Sequence, residues 1–334
     1  MRRASFDPAL DVVVRAPRAL RYAAGADASL DRPAHVRAAS ASAWVGPRLA
    51  IVQDDAHFLA LFDPRDPSAE VTSFPLAAGE GGARQFDDLR GNKRHKLDLE
   101  ACVVVPAPAG PVLLAFGSGS TARREQILVA RGLATEAPDV RLVAAPELYA
   151  AMRACTAFAG SELNVEGAAR VGDRVRLFNR GNGAPRGELS PVDATCDVAI
   201  HALLDHLDGR APAPSLNDVT QYDLGAIDGV RLGFTDAVAL GERVFYLAAA
   251  EASPDAYRDG PVNGVAVGVI DGDRVRQARV RTDDGPFLGK AEGLAFDPDE
   301  PRKGYLVIDR DAPLEAAEIW SFELLGDWGL ESRV

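Results

Sequence analysis

Apolar positions in this chain fall in short alternating runs, bounded by Gly, Pro and Asp, and long helical stripes are almost absent. Residues 48–53, 112–116, 174–178, 243–248 and 305–308 read as β-strands by that alternation. The exceptions are 146–154 (PELYAAMRA) and 198–207 (VAIHALLDHL), which read as short helices in loops between strands. Many short strands with frequent turn residues predict an all-β architecture.

A repeat underlies the pattern. Segments starting at Ser40, Leu97, Leu163, Phe234 and Lys290 share one layout: a strand opening on a polar and then a small residue, a turn, and a more apolar strand. Aligned by residue type, the pairs are Ser42-Ala43, Glu100-Ala101, Glu166-Gly167, Asp236-Ala237 and Glu292-Gly293. They recur roughly every 60 residues, the length of one four-stranded propeller blade plus loops. Outer strands are expected at 58–62 with 71–75, at 262–270 with 274–280, and at 317–324. The expected fold is a single β-propeller over residues 1–334, with four-stranded antiparallel blades around a central channel. Five blades fit best, and six is the alternative. A strand near residues 10–14 is expected to join the last blade and close the ring, leaving no exposed sheet edge. A large β-sandwich or two smaller β domains is the competing arrangement.

The geometry of such blades directs the chemistry to one face. The start of each inner strand and the end of the second strand lie at the same end of the channel, and side chains alternate along a strand. Glu100, Glu166, Asp236 and Glu292 would therefore form a carboxylate ring, with Ser42 as its fifth member. The ends of the second strands would surround the same mouth: Asp54-Asp55, Ser118 with Ser120, Asn179 with Arg180 and Asn182, Glu251, and Asp309 with Asp311. The connection 79–96 arrives there too, carrying Arg84, Arg90, Lys93, Arg94, His95 and Lys96.

Facing carboxylates repel one another, and three resolutions are open. A hard cation such as Ca²⁺ could bind Glu100, Glu166, Asp236 and Glu292. Lys96, Lys290 or Arg180 could form ion pairs across the channel. Each carboxylate could instead accept backbone N–H bonds and fasten one blade to the next. As chemistry, Glu100 and Glu166 are the candidate acids or bases, with His95 as a candidate base. Lys96, Ser118, Ser120, Arg123, Asn179, Arg180, Asn182, Glu251, Lys290, Asp309 and Asp311 are candidate ligand-binding residues. Gly117–Ser120 with Arg123 and Arg124 suits an anion, but it lacks the P-loop's Lys-Ser/Thr ending. His201 and His206 do not have zinc spacing.

Composition narrows the partners. The chain has 47% hydrophobic residues, enough for a substantial core, and a net charge of −12 that disfavours nucleic acid and anionic membrane. No apolar run is long enough to span a bilayer. Three scattered cysteines without a CxxC leave a reducing cytoplasm as the expected location.

The runs KLDLEACVVVP, VLLAFGSGSTARRE, LNVEGAA, VRLFNRGN, FTDAVAL, FYLAAAE, KAEGLAFDP and YLVIDRD resemble an uncharacterised bacterial propeller family. That family is allied to the esterase-like propeller domain associated with phytases, and more distantly resembles the calcium-dependent lactonase, paraoxonase and gluconolactonase propellers. The resemblance implies a functional face at the channel mouth and raises Ca²⁺ as a cofactor. The calcium pattern of those lactonases matches only loosely, through Glu166, Asn179 and Asp236. The expectation is a small-molecule site at the mouth, with calcium-dependent esterase, lactonase or phosphoesterase activity. The alternative is a non-catalytic small-molecule or protein binding module with a structural carboxylate ring.

Overall fold

The computed structural model describes residues 1–135, 138–252 and 260–330. The alternating runs pair into antiparallel sheets in sequence order. The first sheet holds Ala39–Val45, Arg48–Gln53, Phe58–Phe62 and Thr72–Pro75; the second holds Leu99–Val105, Val112–Gly117, Gln126–Arg131 and Asp139–Ala144. The third comprises Val165–Val171, Arg174–Asn179, Asp193–Ala199 and Asn217–Asp223, with Arg2–Arg3 added in parallel at its outer edge. A fourth, larger sheet contains Val230–Leu240, Arg243–Glu251, Val262–Asp271 and Arg274–Arg281. It continues through Leu10–Ala19 into Glu318–Gly326, Lys303–Asp309 and Lys290–Phe296, joined by a short parallel contact of Val12 and Val13 with Val280 and Arg281.

The first strands of these units pack side by side. Ala39–Val45 lies beside Leu99–Val105, followed by Val165–Val171, Val230–Leu240 and Lys290–Phe296, which returns to Ala39–Val45. The chain is therefore an all-β fold of propeller type, its strands curled around a central channel. Leu10–Ala19 pairs antiparallel with Glu318–Gly326, so residues near the two ends of the sequence share one sheet.

The other face of the alternation fills the space between neighbouring sheets. Ala50, Val52, Leu59 and Leu61 pack against Leu99, Cys102, Leu113 and Leu128, and equivalent apolar layers lie between the other neighbours. Pro146–Ala154 and Ile200–Leu207 are helices in connections, and both turn apolar residues inward. Residues 198–199 belong to the preceding strand, so the second helix starts later than its periodicity suggests. Cys102 and Cys196 are buried, Cys155 is half-buried, and all three are free thiols. Among the described residues, no helix is long and apolar enough to cross a membrane.

Candidate functional site

Every inner strand carries a β-bulge near its start. The register with the second strand shifts between Ala39 and Ala41, Leu99 and Ala101, Val165 and Gly167, Phe234 and Asp236, and Ala291 and Gly293. The extra residues are Ser40, Glu100, Glu166, Thr235 and Glu292. A bulge re-aims its side chain and locally ends the ladder, which explains why polar residues occur there. The true repeat position is thus three glutamates and two hydroxyls. Ser40 Oγ donates to the Leu99 carbonyl on the next inner strand (2.5 Å), and Thr235 Oγ1 donates equivalently to Ala291 (2.9 Å).

This frame corrects the alignment by residue type. Ser42 lies deeper, its hydroxyl buried without a partner among the described residues. Asp236 occupies the position held elsewhere by Ala41, Ala101, Gly167 and Gly293. Its carboxylate accepts from its own strand at Ala237 N (2.8 Å) and from the neighbouring inner strand at Leu294 N (2.7 Å). It fastens one inner strand to the next and does not line the cavity.

The cavity at the mouth has a volume of about 350 Å³. Two positions before the bulges, Ala38, Asp98, Asn164 and Lys290 line it, and so do Asp54, Arg180 and Asp309 at the ends of the second strands. Ala38, Asp98 and Asp311 all have positive φ (25°, 58° and 48°). Strained backbone of this kind concentrates at functional sites.

The carboxylates are interleaved with cations. Lys96 Nζ bonds Asp54 and stands 2.6 Å from Asp98 Oδ1, while Arg124 reaches the other Asp98 oxygen at 2.8 Å. Arg180 binds Glu251 at 2.7 Å and lies 3.7 Å from Glu166, whose Oε1 also accepts from Asn164 Nδ2 (2.7 Å). Lys290 is 2.7 Å from Asp311, 3.6 Å from Glu292 and 3.8 Å from Asp309. Arg37 binds Asp55 (2.5 Å) and Asp87 (2.8 Å). Among the described lining residues, eleven carboxylates face six cationic side chains, so acid is in excess.

Burial, before the neighbouring charges, sets the protonation. Burial, then the neighbouring Asp54 and Asp98, push the Glu100 carboxyl well above its ordinary range. Burial raises Glu166 to about 7 against the pull of Arg180, and raises Asp55 to about 7 with help from Asp54. Glu292 and Asp309 are also driven well up by burial, although Lys290 opposes the shift in both. Asp98 goes the other way: burial would raise it, but Lys96 and Arg124 outweigh that and hold it low.

Most of the expected catalytic, metal-binding and ligand-binding residues meet here. Glu100, Glu166, Glu292, Lys96, Arg180, Asn182, Glu251, Lys290, Asp309 and Asp311 all line the cavity. Others do not. Ser118 is buried behind the wall and holds Asp98 (2.5 Å), and the exposed Ser120 accepts from Arg124 (2.8 Å). Arg123 faces solvent, because the turn Ala122–Arg124 directs Arg124 inward instead. Asn179 is fully buried behind the wall and pins Asn164 N (2.7 Å) and the Val192 carbonyl (2.9 Å). His95 lies outside the lining; its Nε2 accepts from Arg94, so it is not placed as a base for this cavity. The connection 79–96 reaches the mouth, but it brings Phe86, Asp87, Asp88 and Leu89 beside Lys93 and Lys96. Arg84 caps the Leu76 carbonyl and Arg90 pairs with Asp31.

Residues 35–324 match a family of unknown function, DUF6929. The chain belongs to the DUF6929 family. No curated protein matches this DUF6929 member. Among solved structures, it is similar to a glutaminyl cyclase from Myxococcus xanthus (8% identity, 97% of this chain and 98% of that one, TM-score 0.47). It is also similar to the Pan2 WD40 domain of Neurospora crassa (11%, 95% and 97%, TM-score 0.40). A third is a putative exported protein of Bacteroides fragilis (7%, 96% and 98%, TM-score 0.40). These likenesses are too distant to carry an argument about chemistry.

Within the DUF6929 cavity, cations crowd the acidic cluster whose spacing could hold a metal ion. Asp54, Asp98 and Glu100 bring ligand oxygens within 4.8 Å of one another, but Lys96 bonds two of the three and Arg124 bonds Asp98. An ion there would stand against two fixed positive charges. Of the calcium set expected from the sequence, Asp236 is bound to backbone N–H groups, and Glu166 and Glu292 each have a cation within 3.7 Å.

Proposed function

We propose that this protein is a five-bladed propeller, closed by Leu10–Ala19 as the outer strand of the last blade, that binds a small positively charged ligand at its channel mouth. The ring of inner strands, each followed by its own antiparallel partners, supports the blade count. One observation carries the binding reading: acid exceeds base in the lining, and Asp54 Oδ1, Asp55 Oδ1 and Glu292 Oε2 are buried without partners among the described residues. Buried acceptors left unmade are costly. A cation bearing N–H donors would satisfy them and would favour the ionised form of Asp55 and Glu292, which burial otherwise disfavours. Free thiols at all three cysteines are in keeping with a cytoplasmic protein. The test is calorimetric titration with putrescine, a compact cation: binding that is lost in Glu292→Gln supports the reading, and absence of any heat overturns it.

A second reading is hydrolysis, of the esterase, lactonase or phosphoesterase kind, with Glu166 as general acid or base. Glu166 favours it, because a carboxyl titrating near 7 in a cavity suits proton transfer at neutral pH. Turnover of aryl esters, lactones or phosphoesters that disappears in Glu166→Gln would support catalysis. Turnover unchanged in that variant would remove it.

A further inference from the structure

The lining of the mouth is divided by polarity. Among the described residues its apolar members are Ala38, Ala39, Phe86, Leu89, Ala312 and Pro313. They come from separate stretches of chain, yet they are tied into one sector. Arg37, beside Ala38, binds Asp87, beside Phe86, at 2.8 Å. His35 Nε2 lies 3.3 Å from the Pro313 carbonyl. Asp55 belongs to the same sector, since its carbonyl accepts from Phe86 N (2.8 Å). Leu89 stands 77% exposed at the rim, where its side chain is open to a ligand in the cavity. The rest of the lining, from Asn164 through Glu251 to Glu292, is polar or charged.

Unpartnered acceptors line the same cavity. Asp54 Oδ1 and Asp55 Oδ1 lack partners among the described residues, and so does Glu292 Oε2 on a residue only 7% exposed. From this juxtaposition we propose that the ligand is an amphipathic organic cation, an amine with an alkyl or aryl body. Its ammonium group meets the unpartnered oxygens of Asp54, Asp55 and Glu292, and its body lies on Phe86, Leu89 and Pro313. The proposal rests on the charge reading above and adds the apolar half. An apolar wall next to a few converging polar groups is the usual design of a small-ligand site, and 350 Å³ sets a small occupant. Amines of one body and different charge, or one charge and different body, separate the two contributions.

The experiment titrates the full chain with phenethylamine, putrescine and phenethyl alcohol by calorimetry. The expected order places phenethylamine about tenfold or more tighter than either of the others, tenfold being 1.4 kcal/mol. Leu89→Ser, a rim substitution that leaves the core untouched, lowers phenethylamine affinity about 3- to 10-fold, in line with the apolar area lost, and leaves putrescine unchanged. If putrescine binds as tightly as phenethylamine, or Leu89→Ser changes nothing, this inference fails while the charge reading stands. If none of the three compounds binds, both fail. If the alcohol matches the amine, the ammonium contact is wrong and the proposal is overturned.

Discussion

The side chain of Arg180 lies over Gly233: a β-carbon on that glycine would come within 3.0 Å of Arg180 Cγ. Gly233 occupies the repeat position of Asp98, Asn164 and Lys290, so the blade that lacks a side chain there makes room for the arginine of its neighbour. Arg180 thereby reaches Glu251 at 2.7 Å. Gly233→Val is expected to displace Arg180 and destabilise the fold by about 1–3 kcal/mol, the usual cost of overpacking. Urea denaturation measures it, and an unchanged midpoint would contradict the packing.

The two hydroxyl bulges make a paired prediction. Thr235→Val and Ser40→Ala each remove a hydrogen bond to the next inner strand and are expected to cost about 1–2 kcal/mol, since a buried carbonyl is left unsatisfied. Ser42→Ala, which removes a hydroxyl without a partner, is expected to be neutral or slightly stabilising. Thermal unfolding of the three variants distinguishes the bulge frame from the alignment by residue type. A loss at Ser42 equal to that at Ser40 would favour the latter.

Lys96 acts as a built-in cation. Lys96→Met leaves Asp54, Asp98 and Glu100 facing one another and is expected to destabilise the protein by about 3–5 kcal/mol, as for a broken buried ion pair. Millimolar Ca²⁺ should recover part of that loss in the variant by binding the folded state. The wild-type melting temperature should respond to neither Ca²⁺ nor a chelator. Stabilisation of the wild type by Ca²⁺ would show that Lys96 does not exclude the metal.

Glu166 predicts a pH dependence of definite sign. Its carboxyl titrates near 7 in the folded chain against an ordinary 4.5. Between those values the folded state keeps a proton that the unfolded chain has lost, so stability falls as pH rises through the window and levels above it. The surrounding charges are Arg180, Asp98, Lys290 and Glu251, and Asn164 donates to the carboxyl. Glu166→Gln should flatten the slope without abolishing it, because Asp55 shifts in the same direction. Putrescine affinity should rise over the same window as bound protons leave. Denaturation at pH 5, 6 and 7.5 on both proteins is the measurement, and identical slopes would refute the assignment.

Strand alternation and repeat spacing made the architecture legible, because each inner strand must turn one face to the channel and the other to its neighbour. The site was legible where chemistry followed the repeat, as at Glu100, Glu166, Glu292 and Lys290. It was lost where a bulge inserted a residue: Ser40 and Thr235 carry no acid, so matching by charge slid to Ser42 and Asp236. Arg124 was named with Arg123 beside the Gly117–Ser120 run, but only Arg123 entered the ligand-binding set, because a single tight turn decides which arginine points inward. The apolar wall left no periodic signal, since Phe86, Leu89 and Pro313 come from connections rather than strands.

The pairing of Leu10–Ala19 with Glu318–Gly326 also constrains how the protein is made. During synthesis the early strand emerges long before its partner exists, and its alternating Leu10, Val12 and Val14 must wait with an open hydrogen-bonding edge. Contacts of such sequence separation form late and slow the final step. A nascent chain stalled before residue 318 would thus carry Leu10–Ala19 without its antiparallel partner, and the arrival of Glu318–Gly326 covers that edge.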